Sequence, residues 1–248
     1  MRFKNKIALV TGATSGIGKK IVERLTKEGC NVIATSKENI SLKNNNIVKK
    51  IEYYKIDVTS EEEWKIFSNY IRKKYKKIDI LINNAGIRVS GDIKNTSLIL
   101  WNHIINTNLT SVFLGCKYIL PLMYKSKKAN IVNLASVTSL RGVKNMLAYA
   151  ASKSALVTFT SSLALDLAKR KIRVNAVAPG AVDTYMVSSL KKEINSKIKF
   201  DRRMKEAHPI GRIGKPEEIA NVVCFLASEE ASFMTGLTVP VDGGRSIR

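Results

Sequence analysis

The chain has 248 residues, 45% of them apolar and 25% charged, and 42 lysines and arginines against 20 acidic residues leave a formal charge of +22. A chain of this length and composition can bury enough apolar surface to fold without disulfides or metals, which excludes the disordered and small disulfide-stapled classes. The excess positive charge raises nucleic acid, anionic membrane or an acidic partner as candidate ligands.

Short Val/Ile/Leu-rich runs alternate with amphipathic stretches along the whole sequence. Ile7–Thr11 reads as a first strand, Gly16–Glu28 as a helix, and Asn31–Thr35 and Ile51–Ile56 as the next two strands. Between Ser36 and Lys50 there is room for a loop or one short helix, and Asn44-Asn45-Asn46 favours the loop. The helix over Ser60–Tyr75 opens on Ser60-Glu61-Glu62-Glu63, a capping box. Ile78–Ile82 is a fourth strand, Leu98–Lys125 one long helix, Asn130–Leu134 a fifth strand, Ala148–Lys169 a second long helix and Arg173–Ala178 a sixth strand. The segment from Thr184 to Gly214 is polar, charged and weakly periodic, as expected of a functional excursion such as a lid. A helix over Pro216–Leu226, with proline and two glutamates in its first turn, and a strand over Leu237–Val241 complete the pattern. Strict β/α alternation without repeat or linker predicts a single α/β domain over residues 1–248, a doubly wound parallel sheet of about seven strands with helices on both faces.

The first strand runs into Gly12-Ala13-Thr14-Ser15-Gly16-Ile17-Gly18 and then a helix. Glycines at such a turn let the backbone approach a pyrophosphate, whose charge is favoured at the helix N-terminus, so a dinucleotide is the expected ligand. The second strand ends in Thr35-Ser36-Lys37. Thr35 is not acidic and Lys37 can pair with a 2′-phosphate, while Glu38 close by speaks for a ribose hydroxyl; on balance NADP(H) is favoured over NAD(H).

Tyr149 and Lys153 are four residues apart on a helix and therefore share a face. A phenol titrates near pH ~10; lowering it by about 3 units takes roughly 4 kcal/mol, which is about what one cation ~4 Å away supplies at an effective dielectric near 20. Ser136 ends the fifth strand, where a doubly wound sheet places its ligand, and can hold a substrate oxygen together with Tyr149. Asn83-Asn84-Ala85-Gly86 is a second small-residue strand exit, suited to close cofactor approach, and Asn108 is a polar residue inside the long apolar helix.

In these motifs the chain resembles the classical short-chain dehydrogenases/reductases, over its whole length from Thr11-Gly12 to Val241-Asp242-Gly243-Gly244. The resemblance implies a Rossmann-type fold and a catalytic tetrad of Asn108, Ser136, Tyr149 and Lys153. It implies that Gly12, Ser15, Gly16, Ile17 and Gly18 hold the pyrophosphate, Asp57 and Val58 the adenine, and Asn84, Ala85 and Gly86 the ribose side. Pro179, Gly180, Val182 and Thr184 would then flank the nicotinamide, and residues 184–214 would form the substrate loop. It further implies hydride transfer at the nicotinamide, Tyr149 exchanging the hydroxyl proton, Lys153 holding the ribose and lowering the Tyr149 pKa, Asn108 binding a water that links Lys153 to solvent, no metal, and a homotetramer.

Two substrate readings remain. One is a secondary alcohol/ketone oxidoreductase acting on a small molecule; the other is a 3-oxoacyl-[acyl-carrier-protein] reductase, with Lys127, Lys128 and Arg170 docking an acidic carrier protein. Gly86-Ile87-Arg88-Val89-Ser90-Gly91-Asp92 and the short loop after Thr35 resemble the generic alcohol dehydrogenases of that family, which favours the first. Nucleic acid is not expected, because the basic clusters sit on separate helices and loops and aromatics are only 7%. No apolar run approaches the roughly 20 residues of a membrane span. Cys30, Cys116 and Cys224 lack metal-ligand spacing, and the start of the chain carries no apolar leader, so a cytoplasmic, membrane-free protein is expected.

Overall fold

The computed structural model describes residues 1–38, 50–187 and 197–248. Strands β1 (Ile7–Val10), β2 (Asn31–Ser36), β3 (Ile51–Lys55), β4 (Ile80–Asn83), β5 (Asn130–Leu134), β6 (Arg173–Pro179) and β7 (Thr238–Val241) form one parallel sheet in the order β3-β2-β1-β4-β5-β6-β7. The helices are α1 (Gly16–Lys27), α2 (Glu61–Tyr75), α3 (Leu98–Ile105), α4 (Ser111–Met123), α5 (Leu147–Leu167), α6 (Lys197–Ala207) and α7 (Pro216–Ala227). Apart from the long helix over Leu98–Lys125, the expected elements are found with ends displaced by a residue or two, and α6 is a helix that the weakly periodic segment from Thr184 to Gly214 did not announce. Most of the expected loop between Ser36 and Lys50 lies outside the described residues.

Side chains alternate across the sheet, and this decides which helix covers which face. Ala8, Val10, Val32, Ala34, Ile80 and Ile82 pack with Ile21 and Leu25 of α1 and Ile219 and Val223 of α7. Leu9, Ile33, Leu81 and Ile131 point the other way, onto Trp64 and Phe67 of α2, Ile119 of α4 and Leu156 of α5. Strands apolar on both faces are what a parallel sheet sandwiched between helices requires. β7 lies at the sheet edge, where Pro240 costs no ladder bond to a further strand.

Two local expectations are corrected. Ser60 caps α2 by accepting from the Glu63 N–H at 3.2 Å, but the Glu63 carboxylate reaches past the cap to the Asp57 N–H at 2.8 Å, so the box is only half formed. The helix expected over Leu98–Lys125 is not continuous: α3 and α4 are separated by one π-helical turn, Asn106–Thr110. The cause is Asn108, fully buried within that turn, whose side chain is drawn to the main chain of Ile87. π-turns inside helices are commonly found at functional sites.

Cys30, Cys116 and Cys224 are buried and free, and burial pushes each thiol up to about 12. Among the described residues no His/Cys/Asp/Glu group could hold a metal, and no helix is long and apolar enough to cross a membrane.

Candidate active site

The strand order reverses between β1 and β4, and a crevice opens there at the strands' C-terminal ends. Its floor is the turn after β1. Gly12 has φ +61°, and a Cβ on it would stand 2.9 Å from Ala85 Cα. A Cβ on Gly18 would stand 2.2 Å from the Gly12 carbonyl oxygen. Asn84 knits the two strand exits together: its amide donates to the carbonyls of Thr11 and Gly12, both at 2.9 Å. The Thr11 hydroxyl in turn accepts from the N–H groups of Asn84 at 3.0 Å and Ala85 at 3.1 Å. Ser15 precedes α1 without a side-chain cap, and no acidic residue occupies the first turn. The N-terminal N–H groups of α1 and their positive dipole end thus remain available to a phosphate, and the bare glycine backbone allows its approach. The site fits a dinucleotide.

Of the residues expected to bind cofactor or catalyse, Gly12, Ser15, Gly16, Ile17, Gly18, Asn84, Ala85, Gly86, Ser136, Tyr149, Lys153, Pro179, Gly180, Val182 and Thr184 line one cleft of about 470 Å³. Thr35, Ser36, Lys37, Asp57 and Val58 are not on its walls; they stand at the ends of β2 and β3. Thr35 is fully buried with its hydroxyl against the Val10 carbonyl, so its side chain serves β1. Ser36 accepts from the Thr14 hydroxyl at 3.3 Å, linking this end to the cleft. Lys37 is exposed and pairs with Asp57 at 2.7 Å. The Lys37 ammonium and the Thr59 hydroxyl and N–H outweigh burial and hold the Asp57 carboxyl at about 2. The Val58 carbonyl accepts from the Trp64 indole.

Tyr149 and Lys153 lie on the buried face of α5, with 8% and 5% exposure. Burial raises the Tyr149 phenol above its usual value, while a hydrogen bond with Ser136 and the charge of Arg88 pull it back. Lys153 is not the cation acting on the phenol here: its ammonium donates to the Leu134 carbonyl at 2.6 Å, and burial lowers it to about 8. Asn108 stands behind the cleft. Its Nδ2 donates to the Ile87 carbonyl at 2.9 Å and to Ser152 Oγ at 3.1 Å, and its Oδ1 accepts from the Ile87 N–H at 2.8 Å. Both amide hydrogens are therefore committed within the protein, and the side chain has none left to donate to the expected relay water.

Sequence reasoning missed two contributors. Arg88 was visible only as part of a strand exit, and its approach to Tyr149 is a long-range fact. His208 is buried, and its Nε2 accepts from the Ala181 N–H at 3.1 Å, fixing the chain after β6; burial lowers its pKa. A solitary histidine in a polar segment carries no signal of that kind.

A parallel sheet with a glycine turn at its switch point is a Rossmann-type dinucleotide-binding fold. Residues 12–246 match the family model described as enoyl-(acyl carrier protein) reductase. The 3-oxoacyl-[acyl-carrier-protein] reductase FabG of Thermotoga maritima is 39% identical, over 98% of this chain and 99% of its own. The meso-2,3-butanediol dehydrogenase of Serratia marcescens is 36% identical, over 98% of this chain and 96% of its own. The ligand-free structure of Thermoplasma acidophilum aldohexose dehydrogenase superposes with a TM-score of 0.90 at 39% identity, covering 99% of this chain and 95% of that one. The chain belongs to the classical short-chain dehydrogenase/reductase family, the nicotinamide-dependent oxidoreductases of CH–OH and ketone groups.

Proposed function

We propose that the protein interconverts a secondary alcohol and a ketone, with Tyr149 as the proton-transferring group. The observation that carries this reading is the meeting of Tyr149, Ser136 and Lys153, all buried, in the cleft that the glycine turn floors. The dinucleotide supplies the hydride donor or acceptor when bound. Gly12, Ser15, Gly16, Ile17 and Gly18 would receive its pyrophosphate, and Pro179, Gly180, Val182 and Thr184 would flank its nicotinamide end. Tyr149, whose phenol burial raises above its usual value while Ser136 and Arg88 pull it back, donates its hydroxyl proton to the carbonyl oxygen in reduction and takes one from the alcohol in oxidation. Ser136 shares that oxygen and steadies the phenolate. Lys153, held to Leu134, would present its remaining N–H groups to the ribose side, and Asn108 positions Ile87 at the cleft wall. Residues 184–214 would cover the substrate. Tyr149→Phe is expected to lose turnover by at least about a hundredfold while NADPH binding, followed by fluorescence titration, is unchanged; retained turnover refutes the assignment.

NADP(H) is proposed over NAD(H). Lys37 supports this: it is exposed at the end of β2, and Asp57, which it pairs with, also accepts from the Thr59 N–H and hydroxyl and so would stay bonded if the lysine turned to a 2′-phosphate. A homotetramer in the cytoplasm is proposed with it.

A second reading is 3-oxoacyl-[acyl-carrier-protein] reduction, favoured by relatives of that name at 38–39% identity over nearly the full chain. Of the residues proposed to dock a carrier, Lys128 pairs with Glu229 at 2.8 Å and Arg170 lies 5.1 Å from the Tyr124 ring, while Lys127 is exposed. Turnover of a 3-oxoacyl thioester but not of simple ketones would decide for it.

A further inference from the structure

We propose that His208 is a positioning residue for the reaction: its uncharged imidazole latches α6 onto the segment that follows β6, and uptake of one proton opens the latch. The inference rests on the reading above that Pro179, Gly180, Val182 and Thr184 flank the nicotinamide. His208 follows α6 and is 1% exposed. Its two ring nitrogens meet main-chain groups of two different segments. Nε2 lies 3.1 Å from the Ala181 nitrogen, and Nδ1 lies 2.7 Å from the Met204 carbonyl oxygen.

The partners decide the state of the ring. A peptide N–H can only donate and a carbonyl can only accept, so Nδ1 carries a hydrogen and Nε2 is bare, as in neutral imidazole. In the imidazolium both nitrogens carry hydrogen. A proton added at Nε2 would point at the Ala181 N–H and turn a hydrogen bond into a clash of two donors. The ring is also confined. A Cβ on Gly180 would stand 3.0 Å from Nε2, so the imidazole fits because a glycine leaves it room. The His208 carbonyl accepts from the Gly211 N–H at 2.7 Å, and the Ile210 N–H donates to the Gly243 carbonyl at 3.2 Å, which ties the same stretch to the end of β7. Burial holds the His208 pKa below its usual value, while the Met204 carbonyl pulls it up. Among the described residues the charged groups that act on the ring are Arg245, which opposes its protonation, and Asp242, which favours it.

Both partners of the ring lie in the wall of one cavity. Ala181 and Met204 line a space of about 440 Å³ that shares Ser136, Tyr149 and Gly180 with the dinucleotide cleft. With Phe200 they form a small apolar cluster, apart from the two that cover the sheet. Three buried side chains remove little apolar surface from water, so the bonds of His208 weigh heavily in holding α6. Opening the latch at Ala181 therefore loosens the nicotinamide flank and the cavity wall together.

The test follows NADPH affinity by fluorescence titration from about pH 5 to about pH 8, the range in which histidine titrates. It uses the parent, His208→Gln, His208→Ala and His103→Gln. A glutamine carbonyl can accept from the Ala181 N–H without titrating, and alanine cannot accept at all. The ratio of parent to His208→Gln affinity, in which the titration of NADPH itself cancels, should fall by about threefold to tenfold toward the acid end, the worth of one hydrogen bond. His208→Ala should bind weakly at both ends, and His103→Gln, at the other of the chain's two histidines, should follow the parent. Circular dichroism at each pH separates release from unfolding. A ratio constant within about twofold overturns the proposal. A second measurement needs neither variants of His208 nor NADPH. In NMR spectra of the parent the Ala181 amide should move with the same midpoint as the His208 ring, below the ordinary 6.5. An amide that does not follow the ring, or a ring still neutral at about pH 5, overturns the latch. If the amide follows the ring but NADPH does not bind at any pH, the latch stands and the failure lies in the dinucleotide reading.

Discussion

Asn108 holds Ile87 by both of its main-chain polar groups, accepting from the N–H at 2.8 Å and donating to the carbonyl at 2.9 Å. A side-chain amide thus imitates a strand partner for the segment that follows β4 and carries Arg88. The third bond, to Ser152, ties that segment to α5, where Ser152 donates to the Tyr149 carbonyl at 2.7 Å. Asn108→Ala leaves these buried groups unpaired at a cost of about 2–3 kcal/mol. Thermal unfolding should show a Tm lower by roughly 5–10 °C, and kcat should fall more than the KM for the dinucleotide. An unchanged Tm would contradict the role.

Gly18 tolerates no side chain. A Cβ there would meet the Gly12 carbonyl oxygen at 2.2 Å and the Asn84 amide nitrogen at 2.5 Å, and the former is backbone that cannot swing away. Gly18→Ala should lose about 2–3 kcal/mol of stability and most of its affinity for NADPH, measured by fluorescence titration. Affinity close to that of the parent would show that the turn is more yielding than its geometry implies.

Lys153 sets function against stability. Its folded pKa of about 8 lies below the ordinary 10.5, so between those values the unfolded chain binds more protons than the folded one. Stability from this group therefore rises as pH climbs through that window and is lost as pH falls through about 8. At pH 7 the buried ammonium costs about 3 kcal/mol, offset in part by the bond to Leu134, about 1 kcal/mol. Lys153→Met should be more stable than the parent at pH 7, by about 1–2 kcal/mol, and inactive. Denaturant midpoints taken from pH 7 to 10.5 should converge, and parallel curves would refute the buried charge.

Lys37 is exposed, so Lys37→Met should leave stability unchanged. It should raise the KM for NADPH by about tenfold, the worth of one charge-assisted contact, and leave that for NADH nearly as it was. Equal effects on both cofactors would remove the basis for the NADP(H) preference.

What the sequence made legible was local. Tyr149 and Lys153 share a helical face whatever surrounds them, and the alternating apolar runs from Ile7 to Val241 announce a sheet covered on both sides. The π-turn at Asn108 was not legible, because one extra residue in a helix barely disturbs an apolar pattern; Ile87, the main chain to which Asn108 is drawn, lies 21 positions away. For the same reason Lys37 could be assigned to a phosphate but not to Asp57, since that pairing depends on the β2–β3 register. The bond between His208 and Ala181 was hidden most completely. Each is unremarkable in its own segment, and only the folded chain sets them face to face.

The chain leaves the sheet's C-terminal edge near Val182 and returns at Gly214, and the two meet in an isolated parallel bridge. The Gly214 N–H donates to the Ala181 carbonyl at 2.8 Å and its carbonyl accepts from the Asp183 N–H at 2.9 Å. The ends of the excursion that includes α6 are therefore clamped together, and His208 near its return end holds Ala181 as well. For a closed loop each doubling of length costs only about 0.6 kcal/mol. Changes of length between Thr184 and His208 should therefore be tolerated by the dinucleotide half, so that this stretch can vary in specificity while the two ends and His208 stay in place.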